Sequence, residues 1–446
     1  MTSPGRVHIV GAGLAGLAAA VTLSAGDRRV ALYEASQHAG GRCRSFFDSE
    51  LGCRIDNGNH LLLAGNTAAM AYVERIGALD TFERPEEAAI PFVDLGSGER
   101  WELRPNPGPL PWWLFDPRRR VPGTSPGDYL QALRLRRAPA DATVAGVLDS
   151  GTLLFRRLWQ PFAVAALNTS AKQGSARLFW RVLVETLGRG GAACRGLMPR
   201  EGLSESLIDP ALALLRRHDA EIRFGARLRG IDFGDRQAAE LLFDAHRVSV
   251  GPSDSVILAA PASVAARLVP GLTVPDDHAP ILNAHYRYVA PAEAPLFAGL
   301  VGGTAEWVFR KPEVVSVTVS AADRLVDDPA DSLAERLWRD VAAVYRIAAH
   351  PVPPARIVKE RRATFRATPR QLERRPAAAT QWNNLHLAGD YVDTGLPATV
   401  EGAIRSGLIA AARAGRDHNA SAAVIPVTIQ RTQTPETTED RQRVLP

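Results

Sequence analysis

Three glycines and one acid near the N-terminus have the types and spacing to hold a dinucleotide. Arg6-Val7-His8-Ile9-Val10 runs into Gly11-Ala12-Gly13-Leu14-Ala15-Gly16, and Val30-Ala31-Leu32-Tyr33-Glu34 follows. Gly11 permits a tight strand-to-helix turn, Gly13 lets backbone amides approach a pyrophosphate, and Gly16 lets helix and strand pack closely. The first helical turn, with Leu14 and Ala15, then favours the phosphate charge. Glu34 can accept hydrogen bonds from an adenosine ribose, and an acid there argues against a 2′-phosphate and hence against NADP. A bare G-x-G-x-x-G is weak evidence. Here a strand precedes it, a small-residue helix follows, and a second strand ends in the acid, so the spacing predicts a βαβ nucleotide-binding unit.

Gly40-Gly41-Arg42, shortly after Glu34 and Ala35, resembles the G-G-R-x-x-S signature of the flavin amine oxidase and phytoene desaturase superfamily. The resemblance implies FAD. Two glycines free the backbone to run beside the pyrophosphate, and Arg42 supplies a cation for it. At the other end, Leu385-His386-Leu387-Ala388-Gly389-Asp390 reads as a strand entering a turn. In the superfamily the matching Gly389 and Asp390 contact the ribityl chain and pyrophosphate. The helix starting at Ala398, Thr399 and Val400 faces the pyrimidine end of the flavin, where its N-terminus stabilises negative charge. The strand near Leu228 resembles the one whose backbone contacts the adenine. Asn57 and Gly58 join the same implied cofactor set.

The elements that must position these residues are legible in outline. The chain has 446 residues, 46% hydrophobic and 23% charged, too long for one core and ordinary for a globular protein. The expected fold is α/β. A discontinuous Rossmann-like FAD-binding domain occupies residues 1–90, 218–265 and 375–415, with an inserted α+β substrate domain at 91–217 and 266–374. Gly96-Ser97-Gly98 predicts a hairpin within Ile90–Leu103, residues 127–217 read as mostly helical, and Leu333–Tyr345 carries a helical apolar stripe. Residues 416–446, rich in Ser, Thr, Gln, Pro and Glu, read as a disordered tail. No apolar run is long enough to span a bilayer, and the first strand begins too early to leave room for a signal peptide. Cys43, Cys53 and Cys194 form no metal spacing and the ten histidines are scattered, so no metal is expected and the thiols suit a reducing cytoplasm. The net charge of +5 comes from arginine, and without a stacking platform it points to anionic lipid rather than nucleic acid.

Asp56-Asn57-Gly58-Asn59-His60, the segment from Leu158-Trp159-Gln160-Pro161-Phe162 to Asn168-Thr169, and Gly395-Leu396-Pro397-Ala398-Thr399 narrow the resemblance to the squalene-associated FAD-dependent desaturases of bacterial hopanoid pathways. It covers nearly the whole chain to about residue 415; Asn59 stands where that family is expected to have glutamine. The resemblance implies reductive dehydroxylation of hydroxysqualene, a hydrophobic C30 isoprenoid, to squalene. The allylic carbon would take a hydride from the reduced flavin, and an acid must protonate the departing hydroxyl in a pocket that excludes water. His60 is the candidate acid, since its ordinary pKa allows proton donation near neutrality. Asp56 is a second candidate, although its carboxylate is more readily used on backbone amides or Arg54. Asn168 either orients the hydroxyl or caps a turn. Trp159 and Phe162 line an apolar cavity or fill core. Trp112-Trp113-Leu114-Phe115 followed by Arg118-Arg119-Arg120 suggests peripheral attachment to the inner face of the membrane. The flavin's electron donor and the oligomeric state are not legible. The rival with the same fold is an oxidative polyisoprenoid desaturase. A monoamine-oxidase-like enzyme is disfavoured because no aromatic cage can be placed, and a non-catalytic prenyl-lipid carrier is disfavoured by the intact cofactor motifs.

Overall fold

A computed structural model describes residues 5–26 and 28–416; the expected disordered tail lies outside the described residues from 417 onward. Strand β1 (Arg6–Val10) pairs in parallel with β2 (Arg29–Tyr33) on one side and with Ser255–Leu258 on the other, and Glu221–Arg223 and Leu385–Leu387 complete a five-stranded sheet. Its central strands are mostly apolar because both faces are covered, one by helices and the other by the three-stranded sheet of Leu228–Phe233, Ala238–Phe243 and Arg247–Ser249. Helix α1 (Leu14–Ser24) buries nine of its eleven residues, which explains its run of alanines: it lies between the sheet and the C-terminal helix Val400–Arg416. Small residues bring those two helices into backbone contact, since a Cβ on Gly407 would stand 2.1 Å from the Ala15 carbonyl oxygen.

The second sheet has seven strands in the order Ala355–Phe365, His278–Arg287, Val314–Val319, Trp307–Arg310, Phe297–Val301, Ile90–Asp94 and Arg100–Leu103. All neighbours are antiparallel except Phe297–Val301 with Ile90–Asp94. Strand alternation separates its faces. Leu282, Ala284, Val315 and Val317 pack under Leu333, Leu337, Trp338 and Val341 of helix Ala330–Tyr345. Asn283, His285, Ser316 and Thr318 project to the opposite face, toward the five-stranded unit.

This is a Rossmann-like α/β unit with an inserted α+β region, and the Gly96-Ser97-Gly98 hairpin forms as expected. The expected boundary at 217/218 needs correction. Leu203, Leu207, Ala211, Leu212 and Leu215 pack in one core with α1, β1 and β2. The apolar stripe of helix Asp209–Arg217 covers the five-stranded sheet unit instead of closing the helical insert. A sequence stripe says that a helix has a buried face, not which core receives it.

Glu401 ties three helices together. Its carboxylate accepts the Ala68 and Ala69 amides at 3.1 and 2.8 Å, at the start of α2 (Thr67–Arg75), and pairs with Arg405, which also holds Glu185. A Gly407→Ala substitution pushes α1 and the C-terminal helix apart. The expected cost is about 1–3 kcal/mol of overpacking, read as a lowered thermal midpoint. Unchanged melting would show that the helix pair has slack there.

Candidate functional site

The first turn builds an open cradle at the carboxyl end of β1. Gly11 has φ +109° and donates its N–H to the Tyr33 carbonyl at 2.7 Å, and a side chain there would press on the Ala259 carbonyl at 2.5 Å. A Cβ on Gly16 would stand 1.9 Å from the Gly11 carbonyl oxygen, whereas one on Gly13 would meet nothing within 4 Å. The space beside Gly13 is open, so its backbone can be approached closely. Gly13 and Gly40 form a parallel bridge, and Gly40 donates to the Ala12 carbonyl at 2.8 Å, so the Gly40-Gly41-Arg42 turn forms the second wall. Leu14 and Ala15 are buried in the first turn of α1, whose free amides and dipole favour a phosphate.

Glu34 accepts the Ala12 and Ser36 amides at 2.8 and 2.9 Å, which fixes its carboxylate beside the turn. Ala35 follows it, and Ala226 donates to the Glu34 carbonyl just before Leu228 enters its strand, so the acid and Leu228 share one end of the cradle. Arg42 pairs with Asp390 at 2.8 Å and donates to the Ala363 carbonyl, joining the glycine-rich turn to the distant Gly389-Asp390 turn. An open glycine cradle, a helix N-terminus, a fixed acid and a half-exposed arginine fit the FAD that the sequence implies.

The C-terminal part of this site is held by a residue absent from the sequence expectations. Arg375, its side chain 1% exposed, donates to the carbonyls of Asp390, Tyr391, Val392 and Leu396 at 3.3, 3.3, 2.6 and 2.7 Å, and lies over the Phe365 ring. The loop leads to Ala398 and to Thr399, whose hydroxyl accepts the Gly402 amide at 3.1 Å and caps the helix that begins at Val400. Gly389 donates to the Ser406 hydroxyl at 2.8 Å. Arg375 offered no sequence signal because its partners are backbone carbonyls, which every residue has.

Asp56 to His60 crosses from the cradle to the seven-stranded sheet. Strand β3 (Ser45–Asp48) pairs with β4 (Cys53–Asp56). At the end of β4, Asp56 accepts the Ser45 hydroxyl at 2.6 Å and the Leu203 amide at 3.0 Å, and forms an ion pair with Lys311. The expected contact with Arg54 is replaced: Arg54 is half-exposed and pairs with Glu205 at 2.6 Å, while Lys311 comes from the turn between strands Trp307–Arg310 and Val314–Val319, far along the chain. Asn57 donates its side-chain amide to the Arg42 carbonyl at 3.3 Å, and its own carbonyl accepts Asn283 at 3.4 Å. Gly58 lies against Asn283, where a Cβ would come within 3.2 Å of its Nδ2. Asn59 donates to Thr318 at 3.0 Å and approaches Asn283 at 3.5 Å. The shorter amide at this position thus reaches the seven-stranded sheet through its Nδ2.

His60 follows, half-buried, with no protein hydrogen-bond partner among the described residues. Desolvation lowers its pKa, with Arg42 acting in the same direction and Asp56 opposing. At neutral pH the ring is uncharged and offers one N–H, which weakens the expectation that it delivers a proton as imidazolium. His285 lies beneath Asp56, bonded to Ser316 at 2.7 Å, and burial pulls it down to about 4.

Asn168 ends its helix in the left-handed conformation at φ 45°. It donates to the Ala279 carbonyl and the Thr364 hydroxyl at 3.1 and 2.9 Å and accepts the Ala321 amide at 2.6 Å. Its amide is committed to the turn and the sheet edge, which is the capping alternative. Trp159 is core, edge-on to Tyr129. Phe162 is only partly buried, 5.9 Å from the Phe92 ring, and with Leu61, Trp180, Trp307 and Ala398 it presents apolar surface over the core. The three cysteines are buried and free, and the described residues hold no group that could bind a metal.

The chain is similar to known proteins over most of its length. The sequence pattern described as flavin containing amine oxidoreductase matches residues 14–414. A protein of Rhodopseudomonas palustris named hydroxysqualene dehydroxylase is 47% identical over 402 residues, covering 90% of this chain and 96% of its own. One of the same name from Zymomonas mobilis is 46% identical, covering 91% and 97%. The solved structure of a putative protoporphyrinogen oxidase from Exiguobacterium superposes with a TM-score of 0.63 at 18% identity, covering 90% of this chain and 97% of the other, and shares the fold.

Arg375→Lys keeps the charge but loses the planar fork that reaches four carbonyls. The expected outcome is a loss of about 2–4 kcal/mol of stability and a several-fold fall in FAD per protein, read from the visible flavin absorbance of the purified protein. Full FAD content would show that the Asp390–Leu396 loop holds its shape without the guanidinium.

Proposed function

The chain belongs to the flavin-containing amine oxidoreductase family, among the hydroxysqualene dehydroxylases, and on that footing we propose that it is an FAD-dependent oxidoreductase that reduces hydroxysqualene to squalene. The carrying observation is the likeness to those proteins over nine-tenths of the chain, together with a cradle built from both ends of the sequence. When bound and reduced, FAD supplies a hydride to the carbon that loses its hydroxyl. The protein must hold that hydroxyl, keep water from the electron-poor carbon and provide one proton so that the oxygen leaves as water.

His60 holds the hydroxyl. Its unpartnered ring at the end of the Asp56–His60 crossing supports this, and its neutral state makes it a hydrogen-bond donor and orienter. Asp56 and Asn168 act one step back, as positioning residues: Asp56 anchors the crossing through Lys311, and Asn168 holds the sheet edge to the helical insert. Leu61, Phe162, Trp180 and Trp307 exclude water. The sequence shows no second dinucleotide motif, so the flavin is reduced either by NADPH bound transiently or by another protein.

The substrate is nearly insoluble in water, and the protein collects it at a membrane surface. Leu110, Trp112, Phe115, Leu130 and Leu133 are 57–68% exposed. Trp113, by contrast, is buried edge-on to Tyr129, which ties the Trp112–Phe115 turn to the Leu130–Arg137 segment. The cations differ from those expected. Arg119 and Arg120 donate to the protein's own carbonyls and Arg118 pairs with Asp116, whereas Arg134, Arg136 and Arg137 are exposed and form no ion pair among the described residues. Exposed tryptophan beside free arginines suits the headgroup boundary of an anionic bilayer. No helix among the described residues is long and apolar enough to cross a membrane.

Two experiments test these readings. The protein is reduced anaerobically with dithionite, freed of excess reductant and mixed with hydroxysqualene. Recovery of the oxidised flavin spectrum with squalene in the lipid extract is expected, and His60→Gln is expected to slow it about 100-fold; a flavin that stays reduced would turn attention to oxidative desaturation of a polyene. In the second, Trp112→Ser with Phe115→Ser is expected to abolish sedimentation with phosphatidylglycerol-containing liposomes while melting stays unchanged. Undiminished lipid binding removes the membrane assignment.

A further inference from the structure

The reaction proposed above leaves a carbon short of an electron pair between loss of its hydroxyl and arrival of the hydride. The carboxylates described at the site are already spent: Asp56 pairs with Lys311 and Asp390 with Arg42. The face of an aromatic ring is a source of negative potential that needs no counter-ion. The register of the seven-stranded sheet sets out a row of side chains on the face turned to the five-stranded unit. Phe92 pairs with Gly299, Gly299 with Trp307, Trp307 with Thr318, and Thr318 with Asn283. Directly opposed residues share a face. Phe92, Phe297 and Trp307 accordingly pack with the core on this side, while Val93, Val308 and Val317 pack under helix Ala330–Tyr345.

His60 is bracketed against this row from both sides in the chain. Asn59, before it, donates to the hydroxyl of Thr318, the cross-strand partner of Trp307. Leu61, after it, converges with the Phe297 ring on Gly196, where a Cβ would come within 3.0 Å of the Leu61 Cδ1 and 3.1 Å of the Phe297 Cε1. Phe297 in turn lies 6.4 Å from the Trp307 ring. Both neighbours of His60 therefore touch neighbours of Trp307. Gly299 lets the row close, since a Cβ there would stand 2.4 Å from the Phe92 ring, and Phe92 meets Trp307 edge-on at 5.7 Å. Phe92 and Phe297 are buried, whereas Trp307 is only partly so. Neither of its ring contacts is a stacked one, and among the described residues no cation lies over it, while the Trp101 ring is already covered by Arg157 at 5.1 Å. The best cation-binding ring type is thus held by its edges with its face uncovered.

We propose that Trp307 is a catalytic residue of the dehydroxylation: its indole face lies against the reacting carbon and stabilises the positive charge that grows there as the hydroxyl, held by His60, departs. Trp307 itself makes and breaks no bond. The C–O bond breaks, the oxygen keeps the electron pair, takes one proton drawn from solvent and leaves as water, and the vacated carbon takes the hydride of the reaction proposed above. The ring favours the electron-poor state between these events over the neutral substrate, so it acts on the rate of turnover and not on substrate binding. This inference rests on the dehydroxylation reading, and its test separates the two.

Trp307→Phe and Trp307→Leu are compared with the wild-type holoenzyme, with FAD content and melting measured for each. In anaerobic single turnovers of the reduced protein over a range of hydroxysqualene concentrations, Trp307→Leu, apolar but without a π face, is expected to lose about 30-fold in the saturating rate. Trp307→Phe is expected to lose about fivefold, with the half-saturating concentration changed less than about threefold in either variant. A role in packing alone would instead raise the half-saturating concentration and treat the two variants alike. A second readout needs no turnover: binding of two squalene analogues that carry, on the carbon that bears the hydroxyl in hydroxysqualene, either a dimethylammonium group or an uncharged isopropyl group of the same shape. The ratio of the two affinities is expected to shift about tenfold against the ammonium in Trp307→Leu relative to wild type, with Trp307→Phe between them. If Trp307→Leu loses FAD or melts early, Trp307→Phe, which keeps an aromatic ring, carries both comparisons. An unchanged affinity ratio, or a loss confined to the half-saturating concentration, with normal squalene formation by the wild type, overturns the role of Trp307 alone. Wild-type flavin that hydroxysqualene does not reoxidise overturns the dehydroxylation reading and the proposal with it.

Discussion

A buried amide must find hydrogen-bond partners, and the amide of Asn283, 1% exposed, finds them in two directions. On its own sheet it accepts the Thr318 hydroxyl at 2.8 Å. Across the seam it donates to the Asn57 carbonyl and is approached by the Asn59 amide. The sheet that carries the apolar wall is thereby bonded to the segment that leaves the cofactor cradle. The position of His60 follows from this joint, because the chain between Arg42 and His60 is fixed at both ends. The buried Asp56–Lys311 pair repeats the connection one residue pair earlier. Such a pair is costly to bury and costly to break, so it favours one relative placement of the two sheets over all others.

The same exclusion of water acts in opposite directions on acids and bases. Desolvation disfavours whichever form is charged. It lowers His60 and His285, raises Glu306 and pushes Cys194 up to about 12. Near neutral pH the buried imidazoles of His60 and His285 are uncharged. An interior of that kind suits an apolar isoprenoid and a reaction in which a carbon becomes electron-poor. The strong cations Arg42 and Arg375 lie instead on the cradle side, where Arg42 meets the Asp390 carboxylate and Arg375 the carbonyls of the Asp390–Leu396 loop.

Some misplacements of sequence reasoning share one origin. Trp112 and Trp113 are identical in type and adjacent, yet one is exposed and the other is packed on Tyr129. Arg118, Arg119 and Arg120 read as a cationic cluster, yet two of them are consumed by local carbonyls. Asp56 pairs with a lysine 255 positions away instead of the arginine two positions before it. Residue type states what a side chain can bond to; the partner is set by which distant elements the fold brings alongside.

By itself the sequence determined the parts whose chemistry is local. The glycines of the first turn and Glu34 act through backbone freedom and short-range geometry, so their spacing reveals them, whereas the Gly40-Gly41-Arg42 turn, Gly389-Asp390 and the C-terminal helix are legible through the resemblance to the flavin superfamily. The Rossmann-like unit and the inserted sheet follow from the same periodicities. Only the tertiary structure decided that Arg375 braces the Asp390–Leu396 loop and that Asn283 and Lys311 receive the Asp56–His60 segment. Those roles depend on burial and on backbone partners contributed from across the fold, and neither is a property of a residue until the chain has closed around it.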